Sequence, residues 1–255
     1  MKTAKTFGAN SSGQLLIVAA LAIAILIAST SIYVYELAAE SQNVESSPTA
    51  ELALALKTGL RNAVVSALAN ITAGGQKTAL AKNLDMLAGA YMRLQPQQPC
   101  QVRYTLLDGG GYEDGVKISW SSLGLGVSSA HVLYTLKIFE PKSSLVINGA
   151  INVTTTLMVE GYYRANENKS IKTVNLTCRI FNENKPAAAK QAAVYWEQTP
   201  EVWLPVQNPY IVDCGSGTYL ISFTVATSSD AVRVSVQMAD ARNIFVVANA
   251  TCSQA

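Results

Sequence analysis

Three successive patterns of hydrophobic and polar residues divide the chain. Residues 15–35 form an uncharged, mostly apolar run of 21 residues without Pro or Gly. Apolar residues then recur at helical spacing over residues 36–97, and from residue 98 onward they alternate with polar ones. These patterns are typical of a membrane-spanning helix, of amphipathic helices and of half-buried strands. The sequence therefore predicts a membrane-anchored α+β protein with one N-terminal transmembrane helix, a helical hairpin and an antiparallel β-sandwich.

The run from Leu15 to Tyr35 is long enough to cross a bilayer. A helix that rises ~1.5 Å per residue covers roughly 30 Å over this length, which is the thickness of the hydrocarbon core. Lys2 and Lys5 are the only charged side chains before the run, and cytoplasmic flanks are enriched in basic residues. We therefore expect residues 1–14 to be a cytoplasmic stub or leader, and the bulk of the chain to be extracellular.

A cleaved secretory signal is an alternative explanation for the same run. The apolar core of such a signal usually has about 7–15 residues and ends at a small-residue cleavage site. Residues 15–28 would supply the core, and Ala28-Ser29-Thr30 would supply the site. Because that tripeptide is only a fair match to a cleavage site, we expect a retained anchor.

Residues 36–97 have the pattern of a helical stalk or hairpin. Ser47-Pro48 suits a helix start, since Ser caps the helix and Pro fits its first turn. Gly74-Gly75 separates two apolar stripes, and the second stripe ends before Pro96. We expect the hairpin to pack within the same chain, with a self-associating coiled-coil stalk as the alternative. The stripes consist of Leu52, Leu56, Leu60, Val64 and Leu68, followed by Leu80, Leu84, Leu87 and Tyr91.

Alternation with a period of two predicts two groups of strands. Residues 98–143 hold strands on both sides of a Gly-rich turn, and they either extend the sandwich or form a small sheet of their own. Residues 144–255 hold further strands separated by turn residues, a spacing typical of a β-sandwich domain. Side chains on a strand alternate between faces, so Cys178 is expected to point inward while Asn175 and Thr177 point to solvent.

The cysteines and the glycosylation sequons are consistent with export. All four cysteines lie beyond the apolar run, and an even number of cysteines outside the cytoplasm suggests disulfides. Of the three connectivities, we favour Cys178–Cys214 together with Cys100–Cys252. Asn-x-Ser/Thr sequons mark candidate glycosylation sites, and those beyond the run are at Asn70, Asn152, Asn168, Asn175 and Asn249.

Strand and turn segments recur in the last part of the chain at residues 174–177, 181–183, 217–223, 232–236 and 240–244. In these segments the chain resembles the exported immunoglobulin-like modules of archaeal cell surfaces. The resemblance implies an immunoglobulin-like β-sandwich with a structural or adhesive role. No catalytic residue is carried over from it.

Gly13-Gln14 immediately precedes the apolar run. A short basic leader, a small residue, Gln and then a helix resemble the processing junction of archaeal prepilin-like proteins, which are type IV pilin-like. The resemblance implies cleavage between Gly13 and Gln14 and packing of the helix in a filament core. Val18 stands at the fifth mature position, where many pilins carry Glu. An uncleaved signal anchor is the alternative.

Charge and residue types argue against several functions. Two of the 19 Lys+Arg residues precede the run, which leaves 17 against 17 Asp+Glu in the exported part. Nucleic-acid binding requires a basic surface, so we do not expect it. His131 is the only histidine, and we therefore expect neither a zinc site nor a Ser-His-Asp triad. The chain is expected to have no cofactor and no enzyme activity.

Two segments remain as candidate binding elements. The loop 108–114 contains Asp108, Glu113 and Asp114, which could offer carboxylates to calcium, but we interpret it as a strand-linking turn because the Asp-x-Asp-x-Asp-Gly pattern is absent. Four aromatic residues with prolines between them form a candidate contact surface for proteins or glycans, with core packing as the alternative. They are Tyr195, Trp196, Trp203 and Tyr210.

These features together predict a single-pass cell-membrane protein with a cytoplasmic N-terminus. We expect a structural or adhesive role at the cell surface. Its expected partners are the lipid bilayer and surface proteins or glycans, with self-assembly as a further candidate. The alternative function is a type IV pilin-like filament subunit or minor pilin, whose N-terminal helix packs in a filament core.

Overall fold

The part of the chain that the structure describes contains two helices followed by twelve strands. A computed structural model describes residue 31 and residues 48–94, 99–121, 123–139, 144–167 and 170–255. This part is α+β, and strands make up most of it. The elements are α1 Pro48–Thr72, α2 Ala79–Leu94, β1 Cys100–Leu106, β2 Val116–Trp120, β3 Leu125–Phe139, β4 Ser144–Ala165, β5 Ile171–Asn182, β6 Lys185–Pro186, β7 Ala189–Thr199, β8 Val202–Pro205, β9 Tyr210–Asp213, β10 Thr218–Ala226, β11 Val232–Asp240 and β12 Phe245–Gln254.

The two predicted apolar stripes form the inner faces of α1 and α2. Leu60 on α1 and Leu80 on α2 are fully buried, and the other members of both stripes are buried or partly buried in the same core. Gly74 ends α1 with a φ of 101°, a conformation that glycine adopts without steric cost. The Gly74 and Gly75 N–H groups donate to the Ile71 and Asn70 carbonyls, which is the Schellman pattern of a helix end.

Helix α1 is the one described helix that is long and apolar enough to span a membrane, over Thr49–Thr72. A core helix of a folded domain can have the same length and composition, and the leucine stripe of α1 packs in one core with strand residues. The predicted transmembrane run 15–35 lies outside the described residues apart from Ser31. The junction at Gly13 and Gln14 also lies outside them.

One long strand, β4, organises the sheet. Its first part pairs antiparallel with β3, its second part pairs antiparallel with β5, and β3 also pairs with β1 and β2. Strand β12 pairs antiparallel with β11 and then, at Ser253 and Gln254, in parallel with β4. The main strand order is therefore β8-β7-β11-β12-β4-β5-β10-β9.

Two hydrophobic cores share β4. In the first core, α1 and α2 cover one face of β1, β3 and the start of β4, with Leu136 and Val153 among the buried residues. In the second core, β4, β5 and β10 face β7, β11 and β12, with Ile221 and Val236 among the buried residues. Strands β1, β2 and β3 therefore extend the sheet, but β1 and β3 pack against the helices. Residues 52–255 form one compact unit.

Gly124, immediately before β3, joins β4 to β12. The Gly124 N–H donates to the Asn249 carbonyl, and the Val159 N–H donates to the Gly124 carbonyl, both at 2.7 Å. A Cβ atom at Gly126 would lie 2.1 Å from the Val247 carbonyl oxygen. Backbone can approach backbone this closely only where the side chain is absent.

A buried ion pair lies where the two cores meet. The fully buried Asp240 carboxylate accepts hydrogen bonds from the Arg242 and Ile244 N–H groups, each at 2.9 Å. Its second oxygen accepts from Thr155 Oγ1 at 2.9 Å and from Arg242 Nε at 2.8 Å. Both carboxylate oxygens are therefore occupied by protein donors, and the arrangement is structural.

The same arginine extends this network to the helices. Arg242 Nη1 donates to Glu183 Oε1 at 2.7 Å, and Glu183 Oε2 lies 3.6 Å from Arg61 Nη2 on α1. At the end of α1, Thr72 Oγ1 accepts a hydrogen bond from the Phe245 N–H at 3.0 Å. Polar contacts thus tie the helical layer to strands of the second core.

Candidate functional site

The four aromatic residues of the predicted contact surface do not form one surface. Adjacent residues on a strand point to opposite faces, so the side chains of Tyr195 and Trp196 lie on opposite faces of β7. Trp196 packs against the second core, as the alternative of core packing predicts. Trp203 pairs with Glu197 and lies on the outer face of the sheet. Tyr210 lies on β9 and is 70% exposed.

Trp203 lines a groove on the outer face of the β8-β7-β11-β12 sheet. It pairs across strands with Glu197, Glu197 forms an ion pair with Arg233, and Arg233 pairs with Thr251. These four residues form a row across four strands, and with Asn249 they line a space of about 410 Å³. We call this space the tryptophan groove.

The charges in the tryptophan groove balance each other. Arg233 Nη1 lies 3.1 Å from Glu197 Oε2, and Glu197 Oε1 accepts the Glu201 N–H at 2.8 Å. The Glu197 side chain is 11% exposed and the Arg233 side chain is 62% exposed. The carboxylate is therefore held as a fixed acceptor, while further guanidinium N–H donors of Arg233 remain available at the surface.

Asn249 contributes an unsatisfied acceptor to this groove. Its backbone is fixed by hydrogen bonds to Ser121 and Gly124, which lie between β2 and β3. Its side-chain Oδ1 is buried and has no hydrogen-bond partner among the described residues. Buried polar atoms are almost always paired with protein or water. This oxygen is therefore a buried acceptor closed to solvent at the edge of the groove.

The residue types in the tryptophan groove suit binding. Trp203 offers an apolar ring with one N–H donor, Thr251 a hydroxyl and Arg233 a guanidinium. All are carried by paired strands, so little ordering is needed before a ligand binds. Among the described residues, no three His, Cys, Asp or Glu side chains are grouped so that they could hold a metal ion.

Neither predicted disulfide pairing is compatible with the fold, and all four cysteines are free thiols. Cys178 on β5 pairs with Tyr219 on β10, which in turn pairs with Asp213 at the end of β9. Cys214, the next residue, is therefore about two strand spacings from Cys178, or ~9.6 Å. Disulfides require Cα atoms within ~7 Å, so the prediction of Cys178–Cys214 is wrong.

The prediction of Cys100–Cys252 is wrong for a simpler reason. Through β3, Cys100 is in register with Leu145 near the start of β4. Cys252 immediately precedes Ser253, which pairs with Tyr162 near the other end of β4. The two cysteines are therefore roughly 50 Å apart along the strand. They lie in different cores.

The cysteines instead divide into three buried thiols and one exposed thiol. Burial raises the pKa of Cys178 to about 12, with a smaller contribution from the charge of Cys252, and raises that of Cys252 to about 11. Burial also raises the pKa of Cys100. Only Cys214 is exposed. Thiolates are the reactive form of cysteine, so the buried three are expected to be inert in the folded protein.

The sequon residues differ in accessibility. Asn152 is exposed, and its Oδ1 accepts a hydrogen bond from the sequon hydroxyl of Thr154 at 3.0 Å. Asn70 is exposed, but its sequon residue Thr72 is buried. The two outward-facing residues Asn175 and Asn249 are only half exposed. Asn168 lies outside the described residues.

His131 and the acidic loop have structural surroundings. The half-buried His131 ring contacts Tyr112 edge-on, with 6.0 Å between centroids. In the loop, Gly109 and Tyr112 exchange backbone hydrogen bonds at 3.0 and 3.1 Å, and Glu113 forms an ion pair with Lys77. The loop therefore has the form of a strand-linking turn.

Sequence reasoning missed the residues that surround the candidate contact aromatics. Glu197, Arg233 and Asn249 are distant along the chain and meet only because β7, β11 and β12 are neighbours. The alternation with buried residues along each strand predicts that these side chains face outward, but it does not predict that they lie next to one another. A similar row around Tyr162 on the opposite sheet was missed for the same reason.

Comparison with known proteins identifies no relative. No protein-family model, no curated protein and no solved structure matches this chain.

Proposed function

We propose that this protein is a membrane-anchored, extracellular surface protein that binds a partner without catalysis. In this proposal residues 15–35 cross the membrane, residues 1–14 stay in the cytoplasm, and the β-rich domain is displayed outside. Its second core lies in an immunoglobulin-like sandwich. Lys2 and Lys5 in the stub, Tyr33 and Tyr35 at the end of the apolar run and the exposed sequon at Asn152 support this orientation. The cysteines give no support from disulfides.

The tryptophan groove is the observation that supports a binding role. It places an aromatic ring and an ion pair in one row on paired strands, with the Asn249 amide beside them. Open surfaces with fixed donors and acceptors recognise partners with little cost of ordering. Glu197 is occupied by Arg233 and by a backbone N–H, so it is poorly placed to accept a proton in a reaction.

Cys214 permits a direct test of the location. It is the exposed thiol, whereas Cys100, Cys178 and Cys252 are buried. We expect a membrane-impermeant maleimide to label the full chain on intact cells at Cys214 alone. The Cys214→Ser variant should lose this label on intact cells and should gain labels only after denaturation.

Labelling that requires cell lysis would contradict the proposed orientation. Release of the protein from the membrane fraction by alkaline carbonate would contradict the anchor. The intact mass of the membrane-extracted chain gives a third readout. A mature chain that begins at Gln14 would favour the filament-subunit alternative, because it would show processing of the prepilin kind.

A further inference from the structure

A second groove lies on the outer face of the layer formed by β4, β5, β10 and β9. Tyr162 on β4 pairs with Asn175 on β5, Asn175 pairs with Ser222 on β10, and Ser222 pairs with Tyr210 on β9. These four residues form a row across four strands and, with Leu220 from the neighbouring row, line a space of about 240 Å³. We call this space the tyrosine groove.

The tyrosine groove has an aromatic ring at each end of its row. Neighbouring strands are separated by ~4.8 Å, so three spacings place the backbones of Tyr162 and Tyr210 about 14 Å apart. Tyr210 is 70% exposed, Tyr162 is 43% exposed, and Leu220 between them is 45% exposed. Solvent-exposed aromatic side chains bring large apolar contact area with little rotamer entropy to lose.

The lining of the groove is uncharged, mostly apolar, and carries a few polar side chains. Its polar side chains are the amide of Asn175, the hydroxyls of Thr177 and Ser222, and the two tyrosine hydroxyls, and the lining contains no Asp, Glu, Lys, Arg or His. No hydrogen bond joins any of these five side chains to another residue in the described part of the chain. Each donor and acceptor is therefore available to a ligand that displaces water.

We propose that the tyrosine groove binds a neutral oligosaccharide chain of another surface molecule. A sugar ring has an apolar C–H face that fits against an aromatic ring, and a rim of hydroxyls that fits amide and hydroxyl partners. An ionic ligand would find no charge in the lining to pair with. A purely apolar peptide would leave the amide and hydroxyl groups of the lining without partners, which is unfavourable.

The proposal gives a ligand class to the adhesive role proposed above and rests on it. Its test uses the full chain in micelles of a sugar-free detergent, because a maltoside detergent would itself present the ligand class. The probes are hexasaccharides of glucose, mannose, galactose and N-acetylglucosamine, and an acidic galacturonate hexamer serves as the charged control. Saturation-transfer NMR detects binding at millimolar probe concentration and a titration gives the affinity.

Three variants assign the binding to the groove. Tyr210→Ala removes the most exposed ring and should weaken binding about tenfold or more. Tyr210→Phe keeps the ring and should stay within about threefold of the parent chain, because the ring face makes the main contact. Tyr195→Ala removes a tyrosine on the other sheet and should leave binding unchanged, which controls for general effects on folding.

We expect at least one neutral probe to bind and the acidic hexamer to bind more weakly. Failure of all four neutral probes to bind would overturn the proposal. It would also be overturned if binding survived the combined Tyr162→Ala and Tyr210→Ala change, or if mass spectrometry found a covalent glycan on Asn175 of the native protein. Sugar binding in micelles does not depend on membrane orientation, so the labelling of Cys214 fails or succeeds independently.

Discussion

Replacement of Asp240 tests whether the buried ion pair holds the two cores together. Its carboxylate accepts four hydrogen bonds, from the N–H groups of Arg242 and Ile244, from Thr155 Oγ1 and from Arg242 Nε. The residue is fully buried, so water cannot replace these partners. Asp240→Ala therefore leaves Arg242 Nε and the N–H groups of Arg242 and Ile244 without this acceptor.

The expected loss of stability is large for a single side chain. Removing one partner of a buried ion pair costs about 3–5 kcal/mol. Arg242 keeps its bond to Glu183, so we expect the lower part of this range, ~3 kcal/mol. For a folded unit of this size, ~1 kcal/mol corresponds to a shift of about 2–4 °C in Tm. The Tm of Asp240→Ala should therefore fall by about 6–12 °C.

Asp240→Asn refines the same test. An amide keeps the shape of the carboxylate, but its NH₂ group would face Arg242 Nε, which is also a donor. We therefore expect a loss close to that of the alanine variant. Lys77→Ala is the matched control, because it breaks the exposed pair with Glu113, and exposed pairs contribute less than about 1 kcal/mol.

Thermal unfolding of the full chain in micelles, followed by circular dichroism, measures these differences. The reasoning would be refuted if Asp240→Ala lowered Tm no more than Lys77→Ala does. It would also be refuted if Asp240→Asn were as stable as the parent chain, because charge and donor direction would then be irrelevant at this position.

Three further predictions concern packing, modification and pH. Gly126→Ala should destabilise the fold by ~3 kcal/mol or prevent folding, because its Cβ would lie 2.1 Å from a carbonyl oxygen. Gly89→Ala is the control, because a Cβ at this helix position meets open space. It should raise the free energy of unfolding, measured in urea, by about 0.5–1 kcal/mol. Glycopeptide mapping of the native protein should find sugar at exposed Asn152 and none at half-buried Asn249; the reverse occupancy would contradict the accessibility argument. The pKa of Cys178 is about 12 in the folded protein, so the thiol ionises at lower pH in the unfolded chain than in the folded one. The contribution of Cys178 to the free energy of unfolding is therefore fully present below pH 9. It falls by at most ~1.4 kcal/mol per pH unit as the pH rises toward 12. In Cys178→Ala, Tm should decline less steeply between pH 9 and 11, and an unchanged slope would exclude this thiol as a cause.

Much of the secondary structure was predictable because burial imposes local periods. The stripe that contains Leu60 repeats at helical spacing, and it is the buried face of α1. The alternation around Cys178 correctly placed this residue inside and Asn175 on the outer face. Both inferences need only the direction of neighbouring side chains along one element.

Relations between elements were not predictable in the same way. The pairing of Cys178 with Cys214 failed because β10 lies between their strands, and no local pattern shows which strand is a neighbour. The Asp240 network and the row through Tyr162 and Tyr210 join residues far apart in sequence for the same reason. The candidate sites therefore became visible only with the strand order.

The length of β4 has a consequence for how the domain responds to force. Its 22 residues contribute to both cores, with fifteen register pairs to β3 and eleven to β5. A load applied along this strand would shear these pairs simultaneously, whereas a load across an edge strand such as β9 would separate its four pairs one after another. The domain should therefore be mechanically anisotropic: strong along the axis of β4 and weak at the sheet edges.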